Sequence, residues 1–155
     1  MRKKRKVLVV CTGNSARSQM AEGLINHFVG DSWEAESAGT QPSGYVQPLA
    51  IQAMTELGID ISQQRSKSTE EFRDTDFDLV ITVCDDAAQN CPTWMGGGKQ
   101  VHIGFPDPAA VQGTQAQKLV RFCEIRDAIR EEILGYLERW DPDAAVAPGF
   151  VASIR

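Results

Sequence analysis

The sequence holds no uninterrupted apolar run approaching the ~18 residues that a membrane-spanning helix requires. Its N-terminus shows no secretory pattern of charged, apolar and small-residue regions, so the expectation is a cytoplasmic protein, neither exported nor in a membrane. Positive charge is also short: 16 Lys and Arg stand against 21 Asp and Glu, a formal net charge of −5. That balance argues against general affinity for nucleic acid. Cysteine is scarce, with 4 in 155 residues. This excludes a secreted disulfide framework and leaves chemistry or buried filling as the use of each thiol. Only 2 histidines occur, His27 and His102; neither has a partner at metal-ligand spacing, and both read as structural. No internal repeat or interdomain linker is visible. What remains is ordinary: 42% hydrophobic and 24% charged residues, at a length that buries about 68–70% of the unfolded surface around one core. A monomer is the default expectation.

One cluster runs against the overall charge. Arg2, Lys3, Lys4, Arg5 and Lys6 precede the first apolar run and read as a solvated leader rather than a nucleic-acid patch. Val7-Leu8-Val9-Val10 lacks alternation, the pattern of a strand buried on both faces. From Ala16 to Val29 the apolar residues Met20, Ala21, Leu24, Ile25 and Phe28 keep helical spacing, and Gly30 stops the helix. Trp33–Ala38, Asp78–Val83 and Gln100–Ile103 read as further strands. Val46–Leu57, beginning near Pro48 and ended by Gly58, reads as a helix, and Thr114–Trp140 as a long amphipathic one. Asp141 onward, with Pro142, Pro148 and Gly149, reads as a tail, giving a domain over 1–140 and a tail over 141–155.

This order implies an α/β single domain: a four-stranded parallel sheet flanked by helices on both faces. Ligands of such sheets lie beyond the carboxyl ends of the strands, which points to the segments after Val10, Val83 and Ile103. Gly96-Gly97-Gly98-Lys99 is followed by Gln100 rather than Ser or Thr, so it does not read as a nucleotide loop.

The segment Cys11-Thr12-Gly13-Asn14-Ser15-Ala16-Arg17-Ser18 joins the first strand to the first helix. Gly13 and Asn14 tolerate the backbone angles that turn successive N–H groups inward, making a nest for an oxyanion over residues 12–17. The helix presents its positive end to the same point, and Arg17 offers a planar fork for two oxygens. Cys11 at the floor is set to be a thiolate nucleophile, with Ser18 able to donate to the sulfur. CTGNSARS after an aliphatic strand resembles the active-site loop of the low-molecular-weight protein tyrosine phosphatases and of the arsenate reductases built on the same fold. The loop alone does not separate the two activities.

Asp107, in Gly104-Phe105-Pro106-Asp107-Pro108 after the fourth strand, reads by itself first as a turn former and second as an acid for a leaving oxygen. The resemblance implies the acid. Ala109 and Ala110 follow where the phosphatases carry aromatic residues, which argues against an aryl substrate. Cys84 and Cys91 bracket the segment after the third strand; their spacing suits neither a zinc knuckle nor a thioredoxin-type pair. If that segment is helical, seven steps of ~1.5 Å put the α-carbons ~10 Å apart, beyond the ~7 Å reach of a disulfide, so bonding would require it to unwind. VCDDAAQNCP resembles the redox segment of the thioredoxin-coupled arsenate reductases.

That resemblance implies arsenate as substrate, a three-thiol relay through Cys11, Cys84 and Cys91, thioredoxin as electron donor, and no metal or organic cofactor. A glutathione/glutaredoxin route and a plain phosphatase are the alternatives. Non-catalytic oxyanion capture and a zinc protein using Cys84, Cys91 and His102 are weaker rivals. Some relatives bind potassium beside the loop. Asn14, Glu22 and Ser37 match that set, but Arg65 and Lys67 stand where a Thr and an Asp would be, so one of these fixed charges is expected to replace the ion. Cys123 on the last helix reads as core filling, and Trp94 as a residue that packs the redox segment or meets a partner.

Overall fold

The computed structural model describes residues 4–84 and 98–141. Arg2, Lys3, Cys91, Trp94, the Gly96-Gly97 pair and the tail from Pro142 lie outside the described residues. Four strands and three helices follow one another as β1 (Arg5–Cys11), α1 (Arg17–Phe28), β2 (Trp33–Gly39), α2 (Pro48–Thr55), β3 (Leu79–Thr82), β4 (Lys99–His102) and α3 (Gln115–Glu138). Single 3-10 turns at Thr69–Phe72 and Pro108–Ala110 complete the set.

All pairings are parallel, in the order β2-β1-β3-β4. The chain leaves β1 on one side to form β2 and returns on the other to form β3. The crevice where these directions diverge opens at the carboxyl end of β1, at Cys11. Central position explains the aliphatic run: Val7, Leu8, Val9 and Val10 are all fully buried. Val7 and Val9, with Leu79 and Ile81, join the core shared by α1, α2 and α3, whereas Leu8, Val10 and Val80 pack with Ala38, Phe77 and Phe72. Among the described residues, then, the three helices gather on one face, and the 3-10 turn with Phe72 helps cover the other.

The helices begin and end where their sequences allow. Pro48 opens α2, where a missing N–H costs nothing, and Gly58 at φ +75° follows it in the left-handed region. Thr114 and Gln117 form a reciprocal capping box at the start of α3. Phe122, Ile125, Ile129 and Ile133 line its buried stripe. Arg126 lies buried among them and pins α3 to α2 by donating to the Ala53 carbonyl at 2.7 Å.

The basic cluster is not wholly a leader. Arg5 and Lys6 belong to β1. The Arg5 guanidinium stacks 5.0 Å from the Trp140 ring, and the Lys6 N–H donates to Asp78 at 2.8 Å. A flanking charge extends a strand readily when its stem lies on an aromatic face.

β2 and β4 are the sheet edges. At β2, Asn26 of α1 acts as a substitute strand: its Nδ2 donates to the Ala35 carbonyl at 3.1 Å and its Oδ1 accepts the Ala35 N–H at 2.9 Å. Among the described residues no helix is long and apolar enough to cross a membrane.

Candidate active site

Cys11 ends β1 and is buried. Its sulfur accepts the Asn14 N–H at 3.1 Å and lies 2.9 Å from Ser18 Oγ. The proton direction follows from the neighbours. Asn14 Oδ1 accepts from the Lys67 N–H at 2.8 Å and from Gln19 Nε2 at 2.9 Å, so the Asn14 amide nitrogen must be the group that donates to Ser18 Oγ at 2.8 Å. Ser18 then directs its own proton at the sulfur. Two donors thus converge on the one sulfur.

Asn14 sits at φ +49°, the non-glycine residue with positive φ among those described. This kink goes with the carbonyls of Thr12–Ser15 facing out of the cup while the Asn14 N–H faces the sulfur. Buried carbonyls need donors, and each of the four has one. Thr12 O accepts the Gln41 N–H at 3.0 Å, Gly13 O the Ser43 N–H at 2.9 Å, and Ser15 O the Gln47 N–H at 2.8 Å. Asn14 O accepts Gln19 Nε2 at 3.0 Å. Residues 41–47 thus form a strap along the outside of the cup. Gly39 lies under it, and a Cβ there would run into the Thr12 carbonyl oxygen.

Ala16 is the N-cap of α1 and has no oxygen to spend on the first turn. With no side-chain cap, the helix presents its positive end at the cup. Arg17 opens α1, and its Nη1 donates to the Phe105 carbonyl at 2.9 Å, tying the cup to the loop beyond β4. Asp107 lies two residues on in that loop. Its Oδ1 accepts the Ala109 N–H at 2.9 Å and caps the turn Pro108–Ala110, so the turn-forming role is real and fixes where the carboxyl stands. The small Ala109 borders a cavity of about 320 Å3 that reaches Pro48 and Leu49 of α2 and Lys118 and Phe122 of α3.

Cys84 lies just past β3, beside the strand that ends in Cys11, and its thiol is buried. The two strands are in register here: the Val83 N–H donates to the Val10 carbonyl at 3.1 Å. Gly104 passes so close that a Cβ would stand 2.6 Å from the Cys84 carbonyl oxygen. Cys91 and the expected helix-to-loop change lie outside the described residues. Cys123 is a free, half-buried thiol at the edge of α3, its Sγ 3.5 Å from Glu56, and burial pushes its pKa up.

Behind the cup lies the set matched to a cation site. Lys67 is buried, with Nζ 3.3 Å from Glu22, 3.8 Å from Glu36 and 3.2 Å from the Arg65 carbonyl. Ser37 donates to the same Glu22 oxygen at 2.6 Å. Burial raises the Glu22 pKa, against the pull of the Ser37 hydroxyl and the Lys67 charge. Arg65 turns its guanidinium outward to Glu71 at 2.8 Å. Of the two candidates for a fixed charge, Lys67 occupies the pocket. Among the described residues no group of three or more His, Cys, Asp or Glu side chains is set to hold a metal ion.

Sequence reasoning missed Gln19, Ser66 and the strap. Most of their bonds to the cup involve backbone groups, which leave no signature in residue type.

The sequence pattern of the low molecular weight phosphotyrosine protein phosphatase family matches residues 6–145. Arsenate reductase of Bacillus subtilis is 43% identical over 132 residues, 85% of this chain and 94% of that protein. A solved arsenate reductase in the oxidized state superposes with a TM-score of 0.72 at 32% identity, over 87% of this chain and 98% of the other. The thioredoxin-dependent arsenate reductase of Corynebacterium glutamicum superposes at 0.62 with 26% identity, over 88% of this chain and 64% of that one.

Proposed function

The chain belongs to the low molecular weight phosphotyrosine protein phosphatase family, and from that premise we propose that it is an arsenate reductase working through three cysteines and an external dithiol protein. The observation that carries the proposal is Cys11, held by Asn14 and Ser18 at the floor of an oxyanion nest, with a second buried cysteine, Cys84, just past the end of the adjoining strand. A hydrolase needs only the first thiol. The likeness to proteins named arsenate reductase supports the same reading.

Arsenate enters the cup, its oxygens on the inward N–H groups and Arg17. The Cys11 thiolate attacks arsenic, and one hydroxyl leaves as water on a proton from Asp107. Cys84 then attacks the Cys11 sulfur. The Cys11–Cys84 disulfide forms as the sulfur–arsenic bond breaks, and its electron pair stays on arsenic, which leaves as arsenite. Cys91 attacks Cys84, releasing the Cys11 thiolate and storing the oxidation as Cys84–Cys91. Thioredoxin returns that pair to thiols by exchange.

Arsenate-dependent NADPH oxidation tests this, with thioredoxin and its reductase in one arm and glutathione with glutaredoxin in the other. Turnover is expected in the first arm, and Cys91→Ser should end it while sparing slow hydrolysis of a small aryl phosphate. Full turnover by Cys91→Ser would sink the relay, turnover only in the second arm would replace thioredoxin, and phosphatase activity alone would make the protein a hydrolase.

A further inference from the structure

We propose that Ser66 is a positioning residue that sets the reactivity of Cys11 through the Gly13–Asn14 peptide; this rests on the oxyanion-cup reading above. That peptide is the one whose N–H reaches the Cys11 sulfur, at 3.1 Å. Its carbonyl, on the outside of the cup, takes two donors: the Ser43 N–H at 2.9 Å and the Ser66 hydroxyl at 3.2 Å. Ser66 Oγ in turn accepts the Gly44 N–H at 3.2 Å. With that lone pair engaged, the single hydroxyl proton points to Gly13. The result is a directed chain from Gly44 N–H through Ser66 O–H and the Gly13–Asn14 amide to the sulfur.

Each donor on an amide oxygen draws charge toward it and leaves the N–H of the same amide more positive, so bonds in series strengthen one another. The Asn14 N–H therefore meets the sulfur as a better donor than an unassisted amide, and the benefit is larger for thiolate than for thiol. Ser66 bonds to the outer carbonyl of the cup and to the strap, not to the sulfur. It lies 53 positions from Gly13 in the chain and secures both the strap, at Gly44, and the cup, at Gly13.

The assay is alkylation by iodoacetamide of the reduced full-length protein, followed by mass on the tryptic peptide 7–17, which carries Cys11 alone among the cysteines. Inorganic phosphate serves as the cup-filling probe. Ser66→Ala should slow alkylation of Cys11 at pH 6 by roughly 1.3- to 4.5-fold, the tenth to third that one bond in series adds to a charge-assisted hydrogen bond, with no change at pH 10, where thiols ionise without help. It should also weaken protection by phosphate. Ser66→Thr keeps the hydroxyl and should restore the wild-type profile. If Ser66→Ala matches wild type at both pH values while phosphate still protects, the proposal is overturned and the cup stands. If Ser66→Thr is as slow as Ser66→Ala, the hydroxyl is not the agent and the proposal also fails. A wild-type Cys11 that phosphate does not protect would overturn the cup reading itself.

Discussion

Replacing Lys67 by Gln leaves the Glu22 carboxyl in its buried place with only Ser37 to answer it. The two side chains are 6% and 10% exposed, and their atoms stand 3.3 Å apart, so solvent does little to screen the loss. Removing one partner from a buried pair costs about 3–5 kcal/mol, a large part of the roughly 5–15 kcal/mol that holds a domain together. The cost must depend on pH. Glu22 has its pKa raised by burial, so the folded state binds that proton more tightly than the unfolded state does. Its contribution is therefore present at low pH and is lost as pH climbs from the ordinary carboxylate range through the raised folded value. Taking away the Lys67 charge raises Glu22 further and widens that window upward. Glu36, the other carboxylate at Lys67, is 40% exposed and adds less. Urea unfolding of the reduced protein at pH 5 and pH 8 should thus show a larger midpoint deficit at pH 8, of order 1–5 M for a slope of about 1–3 kcal/mol/M. Adding Glu22→Gln to the variant should recover much of it. Equal deficits at the two pH values, or a double variant no more stable than Lys67→Gln, would refute the reasoning.

The same geometry sets four further outcomes. Because Lys67 fills the pocket, exchanging sodium for potassium at constant ionic strength should leave turnover and unfolding midpoint unchanged; a rise in either with potassium would point to an ion site elsewhere. Cys11→Ser should abolish arsenate turnover and any phosphatase activity together, and survival of one would mean a different nucleophile. Asp107→Asn keeps an oxygen for the Ala109 N–H, so thermal stability should hold while kcat falls about 10²–10⁴-fold; a matched loss of folding would assign Asp107 to the turn alone. Gly39→Ala should push Thr12 out of place, lowering stability by about 1–3 kcal/mol and weakening phosphate protection of Cys11, whereas unchanged phosphate protection would show that the strap can yield.

The elements legible in the sequence were those whose cause is local. Val7–Val10 reads as a buried strand because every residue is aliphatic, and α1 reads from Met20, Ala21, Leu24 and Ile25. Cys11, Gly13, Asn14 and Arg17 announce a cup by type and spacing within one turn of chain. The sheet order was not legible, since pairing β1 with both β2 and β3 is a matter of distant contacts. Nor was the choice between Lys67 and Arg65, two residues apart with the same charge; it is settled by which stem can pass between Glu22 and Glu36. The strap was invisible for a deeper reason: Gln41, Ser43 and Gln47 serve the cup with backbone N–H groups that any residue except proline could supply. Arg5 and Lys6 misled because the aromatic face that accepts Arg5 belongs to Trp140, at the far end of the chain.

The Asn26 carboxamide makes one side of the sheet a closed account for any other chain. An extended segment arriving at β2 finds both groups of Ala35 taken by Asn26 and the Gly39 N–H given to the Lys67 carbonyl, so it gains no register without first displacing them. In concentrated solution the β2 edge is for that reason a poor seed for fibre growth. At Ala35 the protection rests on one side chain of a type that deamidates with age. Conversion of Asn26 to Asp would set a carboxylate oxygen against the Ala35 carbonyl, and that stretch of the sealed edge would become adhesive.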